Sequence, residues 1–420
     1  MTNRVPSGQQ PALYRLTAPV KDYAWGSTTL LADLTNTNHS STPQAELWFG
    51  THPTTQTTLP DGRALADLID LPYLVKLLAA EQPLSIQAHP TIVQAEAGFA
   101  AENAAGLAID DPQRTYRDPN HKPEMLVALT DFTALAGFRD PTASAKTFGT
   151  LAQLVELPEL GVVLANMATQ LAEGKIKEVF GQLVDTESPF WQPDGWTKTI
   201  FHTVEHANID DDTLANALAV SKIHPDDPGA LVTLLMNLIH LCPGESIFIP
   251  DGTIHAYVSG LGVEIMATSD NVIRGGLTIK HIDVKELDKV VRYQPDPPPL
   301  LDPRVDHSAT MTVTHFEPPV DDFALTRYDL GADQRMSVVP DRPRIAICTG
   351  GTGQLVSQDD TAEVTPGTGI YLPGNGQSVE LTAGPTGVTM FIAFQPQTSA
   401  KDSTKRQTAV ANGKSSATAV

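Results

Sequence analysis

Apolar and polar positions change their rhythm along the chain, and each change marks a different kind of element. From Leu13 to Gly26 a strand runs into an irregular polar-aromatic stretch ending in Tyr23-Ala24-Trp25-Gly26. Glu46 to Gly50 reads as a short strand, Leu65 to Asp70 as a helical turn, and Leu71 to Leu78 as a buried strand. Ser85 to Ala88 continues extended. Thr91 to Leu107, rich in Ala and Glu and free of β-branched crowding, predicts a helix. His121 to Phe138 alternates, with Pro123 among its first residues, where a strand tolerates proline.

The period then switches. Between Ala143 and about Ala230, apolar residues recur three and four apart, which predicts amphipathic helices over 164–184, 197–208 and 213–220, continuing over 229–241. Strand character returns at Ser246 to Ile249 and Gly262 to Thr268. A proline-rich connection follows at Pro295 to Pro303. Residues 311–396 form a run of short strands with Gly, Asp and Pro turns, including Arg344 to Cys348, Gly353 to Val356, Gly369 to Leu372 and Val388 to Phe394. Beyond it, 398–420 is Ser/Thr/Ala/Lys-rich and is expected to be disordered. The pattern predicts a mainly β protein with a helical domain. A core is made of 12–142 and 242–295, a helical domain of 143–241, and a second β-barrel or sandwich of 304–397.

Composition narrows the partners. With a formal net charge of −21, the surface repels nucleic acid and anionic lipid, so neither is expected as a partner. A phosphorylated substrate would be repelled at long range too, and any anion site must be a local pocket of Lys and Arg. Cys242 and Cys348 sit in apolar runs and read as two buried free thiols of a reducing compartment. The first residues lack a signal-peptide core, and no uncharged apolar run approaches the roughly 20 residues of a membrane helix. A cytoplasmic, monomeric protein is expected.

Candidate chemistry lies in four segments. In Gln87-Ala88-His89-Pro90, positions i and i+2 of a strand point Gln87 and His89 to one side. His121-Lys122-Pro123-Glu124 offers a carboxylate with a lysine two residues away. Ile249 to Tyr257 carries Pro250-Asp251-Gly252 and then His255, a turn that aims an imidazole from a hairpin. Gly262 to Asp283 holds Glu264, Asp270, Asn271, Arg274, Lys280 and His281 around a glycine pair. Each segment alone reads more readily as ordinary turn and strand chemistry. Together, Gln87, His89, Glu124 and His255 make a nitrogen/oxygen ligand set without thiolate. That set suits a catalytic zinc with an open position; manganese, iron or cobalt would accept it as well.

As a set these segments closely resemble type I phosphomannose isomerases. The matching stretches are YAWGS (Tyr23 to Ser27), QPLSIQAHP (Gln82 to Pro90), YRDPNHKPEM (Tyr116 to Met125) and IPDGTIHAYVSGLGVEIMATSDNVIRGGLT (Ile249 to Thr278), with KHID at Lys280. The resemblance covers roughly 13–300. It implies a cupin (jelly-roll) barrel core with a helical insertion and a C-terminal β-barrel. It also implies one Zn2+ per chain on Gln87, His89, Glu124 and His255, and conversion of mannose 6-phosphate to fructose 6-phosphate through an enediol. Arg274 falls on the family's active-site arginine and is expected to stabilise the enediolate. Lys122 and Ser85 match residues of the active pocket, and Lys76 and Lys280 match basic positions near it. Tyr257 and Asp270, inside the last stretch, are assigned to the substrate pocket. The base is left among Glu264, Lys122 and a metal-bound water. Where the family often has Pro before the lysine, this chain has Ile279. Two rival classes are a non-catalytic sugar-phosphate or metal-binding cupin, which would keep the four ligands but lack the Arg274 and Lys122 positions, and a cupin oxygenase, which would use iron in an open facial triad and have no reason to retain a phosphate-gripping basic set. The bifunctional enzyme that also makes GDP-mannose would need a Gly-rich nucleotide-binding start near the N-terminus.

Overall fold

The structure, a computed structural model, describes residues 11–207, 209–358 and 360–397. The tail expected to be disordered, 398–420, lies outside the described residues. The protein is mostly β sheet with several helices. It divides into two compact units, one from Leu16 to Asp302 and one that joins the residues up to Arg15 with those from Pro303.

A first short strand, β1 (Tyr14–Leu16), pairs within the sheet of the C-terminal unit. The larger unit holds a 10-stranded sheet made of β2 (Val20–Lys21), β3 (Glu46–Gly50), β4 (Tyr73–Ala80), β5 (Ile86–Ala88), β6 (Glu124–Ala128), β7 (Phe132–Phe138), β8 (Met236–Leu241), β9 (Ser246–Ile249), β10 (His255–Ala267) and β11 (Ile273–Gly276). The hub is β10. Its first residues pair antiparallel with β5 and β7, and its second half pairs with β4 on one edge and β6 on the other. The exchange of partners falls at a bulge after Tyr257 and at Gly260. There φ is 124°, and a Cβ would stand 2.7 Å from the carbonyl oxygen of Asp131, so only glycine fits. Because both faces of these strands are covered, they read as continuous apolar runs. In β4 every residue from Tyr73 to Ala80 is buried, and Lys76 is its one charge.

The helices in the larger unit are α1 (Leu30–Thr35), α2 (Ile92–Ala104), α3 (Pro141–Leu154), α4 (Pro158–Ala172), α5 (Ile176–Val184), α6 (Trp196–His206), α7 (Asp212–Ile223), α8 (Gly229–Val232) and α9 (Val284–Val290). Helix α2 starts with a reciprocal cap: Gln94 N donates to Thr91 Oγ1 at 3.3 Å and Thr91 N to Gln94 Oε1 at 2.9 Å. This start fixes the chain direction just after His89-Pro90. Apolar faces of α4 and α5, including Leu164, Leu171, Val179 and Phe180, share one core with Ile86, Phe138 and Ile273 of the sheet. The helical segment therefore backs β5 and β11.

Several expected elements differ. The single helix over 164–184 is two, α4 and α5, broken at Glu173-Gly174-Lys175. Helix α1 was not expected. His121 to Phe138 holds two strands, β6 and β7, turned at 129–131. The helical reading of 229–241 stops at Leu235, and Met236–Leu241 is strand β8, with Ile239 opposite Ala134 and Leu241 opposite Phe132. Its apolar residues fit either period, and pairing with β7 decides. Cys242 is exposed, contrary to expectation, because it follows β8 into the Pro243-Gly244 turn; Cys348 is buried.

The C-terminal unit is a 9-stranded sheet in the order β1-β18-β16-β19-β14-β13-β12, with β15 on β19 and β17 on β16. Its strands are β12 (Arg304–His307), β13 (Met311–Phe316), β14 (Ala324–Leu330), β15 (Arg335–Val338), β16 (Arg344–Val356), β17 (Thr361–Val364), β18 (Gly369–Leu372) and β19 (Val379–Phe394). The expected strands 344–348 and 353–356 are one long strand, β16, bulged between them against β19. Among the described residues no helix is long and apolar enough to cross a membrane.

Candidate metal centre and active site

Cross-strand register builds the site. Gln87 of β5 lies opposite His255 of β10 on one side and Arg274 of β11 on the other, so the three form a row across neighbouring strands. His89 leaves the end of β5, and Glu124 enters at the start of β6, opposite Met266. His89, Glu124 and His255 are buried, and one ligand atom from each lies within 4.8 Å of the others.

Hydrogen bonds to carbonyls orient both imidazoles. His89 Nδ1 lies 2.7 Å from Asn271 O, and His255 Nδ1 lies 3.0 Å from Thr253 O. A carbonyl only accepts, so each Nδ1 carries the proton and donates. The two Nε2 atoms point at Glu124, each 3.3 Å from one carboxylate oxygen. Burial pushes His89 down to about 4, so its ring is neutral at pH 7 and presents a lone pair to a carboxylate. Among the described residues, buried His89 Nε2 and Glu124 Oε2 accordingly have no hydrogen-bond partner. Lone pairs that converge in a buried space are what a divalent cation satisfies, so the residues fit a metal. Gln87 Nε2 sits 3.3 Å from His255 Nε2. Turning the amide over would present its oxygen to the same space, and the two orientations differ only in hydrogen bonding.

Around this centre charge is arranged in pairs. Lys122 Nζ is 2.7 Å from Glu124 Oε1. Burial alone would raise the Glu124 carboxyl, but Lys122 and then His89 outweigh it and hold it well below the ordinary carboxylate range. Lys76 Nζ bridges Glu264 Oε2 at 2.8 Å and Glu46 Oε1 at 3.2 Å, and Trp48 Nε1 donates to Glu46 Oε2 at 2.7 Å. Burial raises the Glu264 carboxyl even with Lys76 beside it. Tyr257 is buried, its ring 6.2 Å from that of His255, and burial, then Glu264 and Glu124, raise its hydroxyl. Ser85 Oγ donates to Gln87 Oε1 at 3.4 Å.

The remaining expected residues are set apart from this cluster. Asp270 Oδ1 is 3.3 Å from His52 Nε2, and its backbone N donates to Asp118 Oδ2 at 2.7 Å. Arg274 is half-buried, and its one hydrogen bond among the described residues goes to Val272 O at 3.4 Å. Lys280 is exposed; partial burial of its amine, then the charges of Arg274 and Arg117, depress its pKa. Arg117 and Glu46 were not singled out from the sequence. Glu46 opens the expected strand Glu46 to Gly50, but nothing local announced its tie to Lys76.

The chain is 34% identical over 395 residues to the mannose-6-phosphate isomerase of Escherichia coli K12, covering 87% of this chain and 96% of that protein. The chain belongs to the type I phosphomannose isomerase family. The family model for the phosphomannose isomerase type I catalytic domain matches residues 13–70 and 67–141. Among animal members of the family, the Macaca fascicularis mannose-6-phosphate isomerase is 31% identical over 367 residues, covering 76% of this chain and 82% of that one. The fold agrees. The apo-form crystal structure of the Salmonella typhimurium mannose 6-phosphate isomerase superposes with a TM-score of 0.80 at 31% identity, over 92% of this chain and all of that chain (100%). A zinc-bound mannose 6-phosphate isomerase structure superposes with a TM-score of 0.79 at 31% identity over the same shares, 92% and 100%.

Proposed function

We propose that this chain is a zinc-dependent isomerase interconverting mannose 6-phosphate and fructose 6-phosphate, with one zinc ion held by Gln87, His89, Glu124 and His255. The observation that carries the reading is the convergence of three buried ligand groups, His89, Glu124 and His255, on one space, with Lys122 paired to Glu124 and Arg274 in register with Gln87. The 10-stranded sheet is read as a cupin barrel around that space, with 12–142 and 242–295 as its core, 143–241 as the helical domain and 304–397 as a C-terminal β-barrel. A cytoplasmic location and a monomeric state complete the proposal.

Aldose–ketose interconversion moves a proton between C1 and C2 through a cis-enediol. Zinc, when bound, supplies a Lewis acid that polarises the substrate's oxygens. Glu264 is assigned as the base. Burial raises its carboxyl above the ordinary value, and Lys76 fixes the side chain. Arg274 carries a charge that no carboxylate among the described residues neutralises, so it is free to face the enediolate oxygen. Lys122 holds Glu124 in place, and Tyr257 and Asp270 line the substrate pocket. Ser85 and Lys280 hold the phosphate, which gives the acidic protein the local cation it needs for an anionic substrate. The test is turnover of mannose 6-phosphate to fructose 6-phosphate before chelation, after it and after zinc is restored. Loss and recovery are expected; no turnover by the fully metallated protein overturns the reading.

A further inference from the structure

The loop that follows β11 carries Lys280, and a residue of the helical segment pins it. Two glycines make the approach possible. A Cβ on Gly276 would stand 2.8 Å from the Cα of Gly229, and a Cβ on Gly229 would stand 2.8 Å from the backbone nitrogen of Leu277. Into this contact Asp227 inserts its carboxylate. Oδ1 accepts from Gly229 N at 2.7 Å and Oδ2 from Thr278 N at 3.1 Å. One side chain thus holds the first residue of α8 and grips the loop. The gripped stretch is held out of its relaxed shape: Leu277 is left-handed, φ 53°, with its side chain buried in the core shared with the helices. Thr278 passes the constraint on, because its Oγ1 accepts the Lys280 N–H at 3.1 Å.

The pin lies between two basic groups that are held differently. Arg274 is fixed by strand pairing, opposite Gln87. Lys280 lies beyond Gly276, off the sheet, next to the fully exposed Ile279. The grip at 277–278 anchors the loop on the strand side of Lys280, and the Asp283 cap of α9 anchors it on the other. We infer that Asp227 is a positioning residue, which sets Lys280 for the substrate phosphate by pinning the Leu277-Thr278 backbone. The inference rests on the isomerase reading and adds to it a residue outside the pocket, supplied by the helical segment.

Asp227→Asn keeps the size of the side chain but replaces one acceptor by an N–H donor facing a backbone N–H. If Asp227 positions Lys280, the KM for mannose 6-phosphate and the inhibition constant of inorganic phosphate both rise at least tenfold. At the same time kcat stays within about threefold, since Arg274 is held by the sheet, and zinc content stays at the parent level. Hydrogen exchange at the Thr278 amide speeds up at least tenfold. Faster exchange with unchanged KM and phosphate inhibition would mean that the grip is architectural only, and the inference falls. Loss of zinc overturns it too, because the effect would then reach the whole centre. Should Asp227→Asn not fold, Asp227→Ser is measured the same way, and failure of both to fold also counts against it. If the parent protein itself does not turn over mannose 6-phosphate, the proposed function fails instead, and phosphate binding with exchange at Thr278 still reads the pin.

Discussion

Lys76 and Glu264 stand opposite each other on β4 and β10, with Nζ 2.8 Å from Oε2 and both side chains buried. Glu46 of β3 closes the group from the other side at 3.2 Å. A lone lysine in an otherwise apolar buried strand is stable only because two carboxylates face it. Lys76→Met removes the cation and leaves two buried carboxylates beside each other, so a loss of about 3–5 kcal/mol of stability is expected. Denaturant unfolding measures it. An unchanged midpoint would show that the carboxylates take up protons at little cost.

Glu264→Gln separates fold from chemistry at the same place. The amide keeps the shape and can still accept from Lys76, so zinc content and thermal stability should stay close to those of the parent. A base that cannot take a proton should cost at least about a hundredfold in kcat. A variant that keeps most of its turnover would move the base to Lys122 or to water at the metal.

Glu124 faces both imidazoles, and its charge is the only anionic one among the three converging groups. Glu124→Gln should therefore lose zinc at chelator concentrations that the parent withstands, with a fall in affinity of at least tenfold read by competition with a chromophoric chelator. Removing zinc from the parent should likewise lower its melting temperature, since a ligand that binds only the folded state stabilises it by mass action. Equal zinc retention in the variant would count against this ligand set.

Much of the centre was legible because its signals are local. Gln87 and His89 are two apart in an extended run, and His255 follows a proline-glycine turn directly; such spacings fix which way a side chain points. Glu46, Lys76 and Glu264 could not be assembled this way. Their meeting depends on register between strands whose residues lie 188 positions apart. Asp227 escaped notice for the same reason: its partner Thr278 is 51 positions on. Strand β8 was misread because a short apolar run has no period of its own, and the neighbour that pairs with it decides. Cys242 was misplaced because apolar neighbours suggest burial, while the turn after β8 turns the side chain out.

The two thiols should now behave differently. Cys242 is exposed, whereas Cys348 is buried in the C-terminal sheet and burial pushes its thiol up to about 11. A thiol reagent at pH 8 should label one cysteine of the native protein quickly and the second only on unfolding. Cys242→Ser should abolish the fast phase. Fast labelling of both would mean that the C-terminal sheet opens readily.

Arg274 offers the sharpest test of the division between metal binding and catalysis. It lies in register with Gln87 but makes no contact with His89, Glu124 or His255 through any hydrogen bond found among the described residues. Its guanidinium is half-buried; burial, and then the charge of Arg117, lower its pKa, yet an arginine stays protonated across the working range. A fixed charge without a carboxylate partner gains most when negative charge develops in front of it, which in the proposed mechanism happens at the enediolate oxygen and not at the neutral hydroxyls of the bound sugar. Arg274→Ala should therefore lose most of the turnover, at least about a hundredfold in kcat, while zinc content stays equal to that of the parent. Arg274→Lys should recover only part of the loss, because a point charge on a flexible stem does not reproduce two aligned donors. A near-normal rate for Arg274→Ala would remove the residue from the chemistry. A parallel loss of zinc would place its role in holding Gln87 and the strand row instead.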